Sequence, residues 1–279
     1  MIIARSVKNV VNIIKKVRGE KKTIGFVPTM GALHHGHLSL VKAAKNDCDF
    51  VVVSIFVNPT QFGPKEDYKK YPRTFKKDKE LLEKEKVDLV FYPTVKSMYP
   101  KSFSTYVEEV FLSKVLCGKS RPGHFRGVCT VVTKLFNIVQ PDVAYFGQKD
   151  YQQAQIIKRM VVDLNFQIKI KVLPIVREND GLAASSRNVY LNDTQRKQAT
   201  ILFRALNLAK QLIKQGTKDP NAIIEKMRKL ILSQSFAKID YIKIVDPKTL
   251  RDVKEIKKKV VVALAVFIGK TRLIDNIIV

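Results

Sequence analysis

The sequence is short of tryptophan, cysteine and histidine. Among its 279 residues it has no tryptophan, three cysteines and four histidines. Cys48, Cys117 and Cys129 are odd in number, widely spaced and adjacent to apolar segments. That pattern argues against a disulfide framework and against a cysteine-based metal site. We therefore expect buried free thiols in a reducing cytoplasm.

Long hydrophobic runs are also missing. The longest wholly apolar run, Val260–Ile268, has nine residues, whereas about 20 are needed to cross a bilayer. Residues 1–22 alternate apolar and basic side chains at helical spacing and contain no signal-like hydrophobic block. Internal repeats and low-complexity tracts are likewise not evident. These features predict a soluble cytoplasmic protein without a membrane segment.

Acidic residues are few relative to basic ones, and the formal net charge is +26. Such an excess is common in nucleic-acid-binding proteins. Here the excess is mostly lysine, and both parts of the chain carry it, +15 over residues 1–176 and +11 over residues 177–279. Within residues 75–88 basic and acidic side chains interleave at i,i+4 spacing, typical of a solvated helix face. We expect a lysine-rich surface without a dedicated nucleic-acid site, whose field attracts small anions.

The order of predicted elements indicates an α/β fold. Strands and helices alternate from residue 23 to about residue 176, which is typical of a doubly wound parallel sheet. Helical runs follow at 194–215 and 220–235, and then strand-like runs at 238–245, 259–267 and 271–278, the last two joined by a Gly269-Lys270 turn. We predict a Rossmann-like nucleotide-binding domain over residues 1–176 and a smaller α+β domain over residues 177–279.

The segment Pro28–Leu40, PTMGALHHGHLSL, has the features of a phosphate site. An apolar strand ends here, Gly31 allows a tight turn, and His34 and His37 flank Gly36 where a helix starts. Backbone N–H groups at a helix start bind anions, and glycine allows phosphate to approach the main chain. A histidine metal site, or a helix start without a ligand, is the alternative; the spacing is not that of helical zinc motifs.

Two further strand ends carry polar groups. Asn58 and Gln61 follow the apolar run 51–57, where a small polar substrate can bind at the carboxyl end of a parallel strand. Gly147-Gln148-Lys149-Asp150 follows the run 143–146. There Lys149 is a candidate phosphate partner, Asp150 a predicted N-cap, and Gln153 lies one turn into the next helix.

Two polar loops complete the candidate site. Ala184-Ser185-Ser186-Arg187-Asn188 offers a planar guanidinium that suits a leaving pyrophosphate. Arg121–Gly127 precedes a helical stretch from Val128 to Val139; His124 and Arg126 there either reach phosphate or carboxylate or belong only to a turn. Neither a carboxylate dyad nor a Ser-His-Asp set is apparent. The pattern favours catalysis by positioning and charge stabilisation.

Taken in order, these motifs resemble those of pantothenate synthetases (pantoate–β-alanine ligases). The resemblance spans nearly the whole chain and rests on residues 28–40, 57–62, 121–128, 146–153, 185–188 and 271–276. It implies a nucleotide-binding fold of the adenylate-transferase type, and an ATP-driven condensation of (R)-pantoate with β-alanine through pantoyl adenylate, with Mg²⁺ on the phosphates. It also implies a homodimer, formed through the first domain.

The resemblance assigns roles by position. His37, His34, Lys149 and Arg187 would be catalytic, and Gln61 and Gln153 would hold pantoate, with Asn58, His124 and Arg121 as further substrate contacts. The implied ATP contacts are Met30, Gly31, Ala32, Leu33, His34, His35, Gly36, His37, Gly147, Gln148, Lys149, Asp150, Val176, Ala184, Ser185, Ser186 and Arg187. No protein side chain is assigned to a metal.

Two positions depart from the family pattern, and one motion is expected. Gln148 stands where many members have Glu, and Ala184 where Met is common, which should affect affinity more than activity. Because an acyl adenylate hydrolyses in water, a lid over residues 58–71 or 178–188 is a reasonable hypothesis.

The alternative functions are those of another adenylate-transferring enzyme of the same fold, either a nucleotidylyltransferase or a tRNA-charging type. A non-catalytic RNA-binding protein ranks further behind.

Overall fold

The computed structural model describes residues 1–64 and 66–279, and in these ranges the chain forms nine strands and ten α-helices. The strands are β1 (Ile2–Ala4), β2 (Ile24–Thr29), β3 (Phe50–Ile55), β4 (Leu89–Phe91), β5 (Val143–Gly147), β6 (Lys169–Leu173), β7 (Ala237–Val245), β8 (Val261–Ile268) and β9 (Thr271–Ile278). The helices are α1 (Val7–Gly19), α2 (His35–Asp47), α3 (Phe75–Lys84), α4 (Val95–Met98), α5 (Cys117–Ser120), α6 (His124–Val139), α7 (Tyr151–Asp163), α8 (Asp193–Ala199), α9 (Ile201–Lys214) and α10 (Pro220–Leu232).

Six strands form one parallel sheet in the order β1-β4-β3-β2-β5-β6. From β2 the chain builds outward through β3 and β4, and it then returns to place β5 on the other side of β2. This reversal makes the carboxyl ends of β2 and β5 the switch point where ligands bind in open α/β sheets. The predicted doubly wound fold is confirmed.

Helices cover both faces of this sheet because its strands are apolar on both sides. Phe26 on β2 packs in a cluster that includes Ile14 of α1 and Phe136 of α6, and the next residue, Val27, packs on the opposite face with Val41 of α2. The central strands are therefore covered on both faces, so the loops that follow them begin at well-packed backbone.

The second sheet is antiparallel, in the order β7-β8-β9, with β8 and β9 joined by a hairpin at Gly269, where φ is +59°. Helices α9 and α10 pack on it in a separate hydrophobic cluster. This is the predicted α+β part of the chain. The division into residues 1–176 and 177–279 stays a prediction.

Several predicted elements were wrong in detail. Residues 1–22 are not one helical segment, because Ile2–Ala4 pairs with β4 as an edge strand before α1 begins. The run 194–215 is two helices that meet at Thr200. Helix α6 begins at His124, four residues before the predicted start.

The cysteines and the apolar runs are placed as follows. Cys48, Cys117 and Cys129 are buried and free, as expected. No helix within the described ranges is both long and apolar enough to cross a membrane.

Candidate active site

One buried carboxylate fixes the backbone conformation of the loop after β2. Gly31 and Ala32 both have positive φ, +80° and +50°, and the Gly31 N–H donates to Thr29 Oγ1 at the end of β2, at 3.1 Å. The side chain of Asp78, only 1% exposed, accepts hydrogen bonds from the Ala32 and Leu33 N–H groups at 3.0 and 2.8 Å. Asp78 lies on α3, in the stretch predicted to be a solvated helix face. The sequence pattern did not indicate that Asp78 shapes this turn.

The two histidines at the start of α2 orient each other. The Nδ1 atom of His34, the N-cap residue, accepts a hydrogen bond from Gly36 N–H at 3.1 Å, and Nδ1 of His37 accepts one from His34 N–H at 3.4 Å. Since both Nδ1 atoms accept, each neutral ring carries its proton on Nε2. The ring centroids are 4.0 Å apart. The loop therefore presents two adjacent N–H donors.

Both imidazoles stay neutral at physiological pH. Burial is the main cause that lowers the pKa of His34 to about 2, and the positive charge of Lys149 adds to it. Burial and Lys149 also lower the pKa of His37 to about 4. Two imidazolium groups this close to a lysine would repel each other. These rings can thus donate hydrogen bonds to phosphate oxygens without carrying charge.

The loop after β3 fixes the orientation of a glutamine amide. Asn58 is buried; its Nδ2 donates to Gln61 Oε1 at 3.0 Å and to the Gly127 carbonyl at 3.1 Å. Its Oδ1 accepts from the Tyr99 hydroxyl at 2.7 Å, and burial raises the pKa of Tyr99 to about 12, so this hydroxyl keeps its proton. Because Oε1 of Gln61 accepts from Asn58, its NH₂ group is the part left to donate; this group lies 3.3 Å from Met30 Sδ, which also lines the cavity described below. The amide of Asn58 is already engaged by protein partners.

Arg121 and His124 bind to the same loop. The guanidinium of Arg121 forms a bidentate pair with Glu66, at 2.6 and 2.7 Å, and also contacts His124 Nε2 at 3.0 Å. Nδ1 of His124 lies 2.8 Å from the Gln61 carbonyl oxygen, to which it donates. Burial, reinforced by Arg121, lowers the pKa of His124 to about 3, consistent with a neutral ring. These groups support the loop after β3 as well as lining the site.

The turn after β5 carries the predicted lysine. Lys149 Nζ lies 3.1 Å from Asp150 Oδ2. Burial alone would raise the pKa of Asp150, but Lys149, Arg187 and His37 together bring it below its usual value. Asp150 occupies the N-cap position of α7 but makes no capping hydrogen bond with its side chain. The predicted N-cap position is thus confirmed, but the carboxylate pairs with Lys149 and does not cap the helix.

The loop after β6 carries Arg187 into the same region. Its guanidinium makes a bidentate pair with Asp67, at 2.9 Å for both bonds. The Ser186 hydroxyl donates to the Ala32 carbonyl at 3.0 Å, and Ser185 Oγ caps the turn by accepting from Arg187 N–H. The loops after β2, β3 and β6 are thereby joined. Asp67 and Glu66, the acidic partners of the two arginines, were not singled out from the sequence.

The loops enclose a cavity of about 220 Å³ at the carboxyl ends of β2 and β5. Predicted residues that line it are Met30, His34, Gly36, His37, Asn58, Gln61, Arg121, His124, Gly147, Lys149, Asp150, Gln153, Val176, Ala184, Ser185, Ser186 and Arg187. Predicted residues outside the lining are Gly31, Ala32, Leu33, His35 and Gln148. Of these, His35 has an exposed side chain, and the others shape the backbone of the two turns.

A larger cleft of about 1100 Å³ opens between the two sheets. It shares Lys149, Gln153 and Arg187 with the smaller cavity. Among residues 1–64 and 66–279, no group of three or more His, Cys, Asp or Glu side chains is arranged to hold a metal ion. The cavity and the cleft together offer neutral N–H donors, amide groups and the cations Arg121, Lys149 and Arg187, which line both.

Comparison with known proteins identifies the family. A sequence model described as pantoate-beta-alanine ligase matches residues 2–278. The chain belongs to the pantoate–β-alanine ligase family. A pantothenate synthetase of Thermosipho melanesiensis is 64% identical over 258 residues, which cover 92% of each chain.

Solved structures of pantoate–β-alanine ligases have the same fold. The pantothenate synthetase of Thermus thermophilus superposes with a TM-score of 0.95 at 44% identity, over 99% of each chain. The pantoate-β-alanine ligase of Francisella tularensis, complexed with β,γ ATP and β-alanine, has a TM-score of 0.82 at 39% identity, over 99% of this chain and 97% of that one. The fold and the ATP-dependent ligase family are thus established for this chain.

One of the segments on which the family resemblance rests also has a structural role. Residues 271–276 carry the resemblance, but no chemical task was predicted for them. Asn276 on β9 donates to the Gln148 and Lys149 carbonyls, both at 3.0 Å. The polar pair Asp275-Asn276 inside a strand was the available signal, but the partners of Asn276 lie more than 120 positions away.

Proposed function

We propose that this protein condenses (R)-pantoate with β-alanine at the expense of ATP, with pantoyl adenylate as the intermediate and AMP and pyrophosphate as products. The observation that carries the proposal is the cavity at the β2/β5 switch point. There, two neutral imidazole donors, Lys149, Arg187 and an oriented Gln61 amide surround one space. Membership of the ligase family supports the same reaction.

In the first step a carboxylate oxygen of pantoate attacks the α-phosphorus of ATP. The new P–O bond forms as the bond to pyrophosphate breaks, and negative charge moves onto the departing oxygens. Lys149 and Arg187 supply positive charge there, while the Nε2–H groups of His34 and His37 donate to phosphate oxygens. Donors fixed before the reaction stabilise developing charge most effectively, since they need no reorganisation.

Pantoate binding depends on the two glutamines. Gln61 presents NH₂ because Asn58 holds its oxygen, so Gln61 suits an acceptor group of pantoate. Gln153, on the first turn of α7, lines both the cavity and the cleft. We assign Asn58 a positioning role, because its own hydrogen-bonding groups are engaged by the protein.

In the second step the free amine of β-alanine attacks the acyl carbon of the adenylate. The C–N bond forms, the C–O bond to AMP breaks, and the amine loses a proton. Water must be kept from the adenylate during this step. Residues 66–73 and residues 183–190 contact each other through Arg187–Asp67 and through the Tyr190 hydroxyl, which donates to the Lys70 carbonyl at 3.0 Å.

We propose that these two loops act together as the lid. ATP phosphates bound in the site would engage Arg187, and would hold residues 183–190 over the ligand together with residues 66–73, to which the Tyr190–Lys70 hydrogen bond joins them. Limited proteolysis within residues 66–73 should slow when ATP and pantoate are both present. Equal cleavage rates with and without them would refute the lid.

Mg²⁺ enters this proposal as part of the ATP substrate. The carboxylates of the site, Asp67 and Asp150, are paired with Arg187 and Lys149, so the donor set fits an ion held by the phosphates better than one held by the protein. When bound, the ion shields phosphate charge.

We further propose a homodimer formed through residues 1–176, and action in the cytoplasm, where free thiols stay reduced.

Pyrophosphate release tests the function. We expect slow, pantoate-dependent release from ATP, and faster release with equimolar AMP and pantothenate once β-alanine is added. If ATP binds but pantoate causes no release, the acid substrate is not pantoate. The alternative of a nucleotidylyltransferase or tRNA-charging activity would then be tested next, with nucleotide and tRNA acceptors.

A further inference from the structure

Two adjacent residues of β9 bind the loops that carry Lys149 and Arg187. Asn276 is 2% exposed, and its Nδ2 donates to the carbonyls of Gln148 and Lys149, at 3.0 Å each. Its Oδ1 accepts from Gln148 Nε2 at 3.3 Å. The backbone turn on which Lys149 stands is therefore held from the second sheet.

Asp275 makes the corresponding contact with the other loop. Its side chain is 1% exposed and forms a bidentate pair with Arg177, at 2.6 and 3.0 Å. Arg177 also donates to the Gly181 carbonyl at 3.0 Å, and its backbone bridges to Ala183. Arg177 thus connects β9 to the base of the loop that continues into residues 184–187.

The strand itself fixes the spacing of these two contacts. Successive side chains on a strand point to opposite faces, so Asp275 and Asn276 can each hold a different loop. Pairing with the central strand β8 fixes the positions of both residues: Leu264 pairs with Asp275, and Ala263 pairs with Asn276. Buried hydrogen bonds and ion pairs of this kind have few alternative geometries.

We propose that Asp275 and Asn276 are positioning residues for adenylate formation, which set the separation between the Lys149 turn and the Arg187 loop. This inference rests on the proposed function, because it assumes that both cations act on ATP phosphates. The second sheet then contributes to catalysis without touching the substrate. Misplacement of a catalytic group by about 1 Å can slow a reaction about 10²-fold.

The test is pantoate-dependent exchange of labelled pyrophosphate into ATP, which reports the first step without β-alanine. We expect Asn276→Ala to lower kcat at least about tenfold and to raise the KM for ATP. Asn276→Asp removes the same donors with little change of shape, and it serves if the alanine variant does not fold.

A double-mutant cycle separates positioning from general damage to the fold. In a Lys149→Ala background, Asn276→Ala should slow exchange by less than about twofold further, because the group that it positions is gone. Asp275→Asn should behave in the same way in an Arg187→Ala background. If the losses multiply in both backgrounds, the proposal is wrong.

Asp252→Asn is the control. Asp252 pairs with Lys243 of β7 in the same sheet, at 2.6 Å, and lines neither the cavity nor the cleft. We expect near-normal exchange from this variant. Equal losses from Asp252→Asn and Asp275→Asn would overturn the inference. Absence of exchange in the unmodified protein would instead refute the proposed function itself.

Discussion

At the scale of single residues, the site uses side chains whose charge is set by their neighbours. His34 and His37 are neutral donors because burial and Lys149 oppose protonation. Lys149 and Arg187 form ion pairs with Asp150 and Asp67, at 3.1 and 2.9 Å. Neutral donors and paired cations can thus lie close together, as an anionic ligand requires.

We expect His37→Ala and Lys149→Ala each to slow adenylate formation about 10²-fold or more, because each removes a donor to transition-state charge. Stopped-flow or quench measurement of pantoate-dependent pyrophosphate release gives the rate. Lys158→Ala, which removes an exposed lysine from α7, is the control and should leave the rate unchanged. Near-normal turnover in either site variant would mean that the phosphate assignment is wrong.

Buried neutral histidines also predict how stability depends on pH. The pKa of His124 is about 3 in the fold and near 6.5 in the unfolded chain, so only the unfolded chain gains this proton as the pH falls below 6.5. Stability is lost between pH 6.5 and about 3, by at most about 1.4 kcal/mol per pH unit for this group. Denaturant unfolding at pH 7.5, 6.5, 5.5 and 4.5 measures the slope.

The His124→Asn variant provides the comparison. It removes one titrating group, so its free energy of unfolding should fall less steeply than that of the parent protein below pH 6.5. Parallel pH profiles for the two proteins would show that His124 is not protected from protonation in the fold.

At the scale of elements, the site depends on close approach between a helix and a loop. Gly127 on α6 lies against the turn of Asn58 to Gln61, and a Cβ added there would be 2.3 Å from the Thr60 carbonyl oxygen. The Gly127 carbonyl in turn accepts from Asn58 Nδ2. The absence of a side chain at this position therefore allows the contact that orients Gln61.

Gly127→Ala should displace this turn and weaken pantoate binding. We expect at least about a tenfold rise in the KM for pantoate, with a smaller change for ATP, and a loss of about 1 to 3 kcal/mol in the free energy of unfolding, typical of overpacking. Steady-state kinetics and denaturant unfolding check both. Gly19→Ala, where a Cβ has open space, is the control. Unchanged pantoate KM in Gly127→Ala would contradict the proposed loop geometry.

At the scale of the whole molecule, the net charge of +26 acts over the entire surface. A positive field attracts anionic substrates and is screened by salt, with a Debye length of about 30 Å at 0.01 M and about 8 Å at 0.15 M. Long-range attraction is therefore expected for ATP and pantoate and is largely absent for β-alanine, whose net charge is zero at neutral pH.

Raising the ionic strength from 0.01 to 0.3 M should increase the KM values for ATP and pantoate severalfold and change the KM for β-alanine little. Initial-rate kinetics at constant free Mg²⁺ measure all three. The zwitterion serves as an internal control. An equal increase for all three substrates would show that salt acts on the protein, and would contradict steering by the field.

The sequence by itself determined the α/β class, the antiparallel sheet at the end of the chain and most of the residues around the cavity. These follow from local signals: apolar runs of strand length, glycine turns after strands, and polar groups at strand ends, which a parallel sheet brings to one edge. The family resemblance gave those groups their expected roles.

Only the tertiary structure decided how the groups are paired and held. Asp78 in the β2 loop, Asp67 on Arg187 and Asn276 at the Lys149 turn each act across 45 or more positions of the chain. Ile2–Ala4 became a strand through its pairing with β4. Such contacts depend on which distant elements pack together, and the local sequence does not contain this information. An acidic residue in the sequence looks the same whether it lies on a solvated helix face or in a buried ion pair.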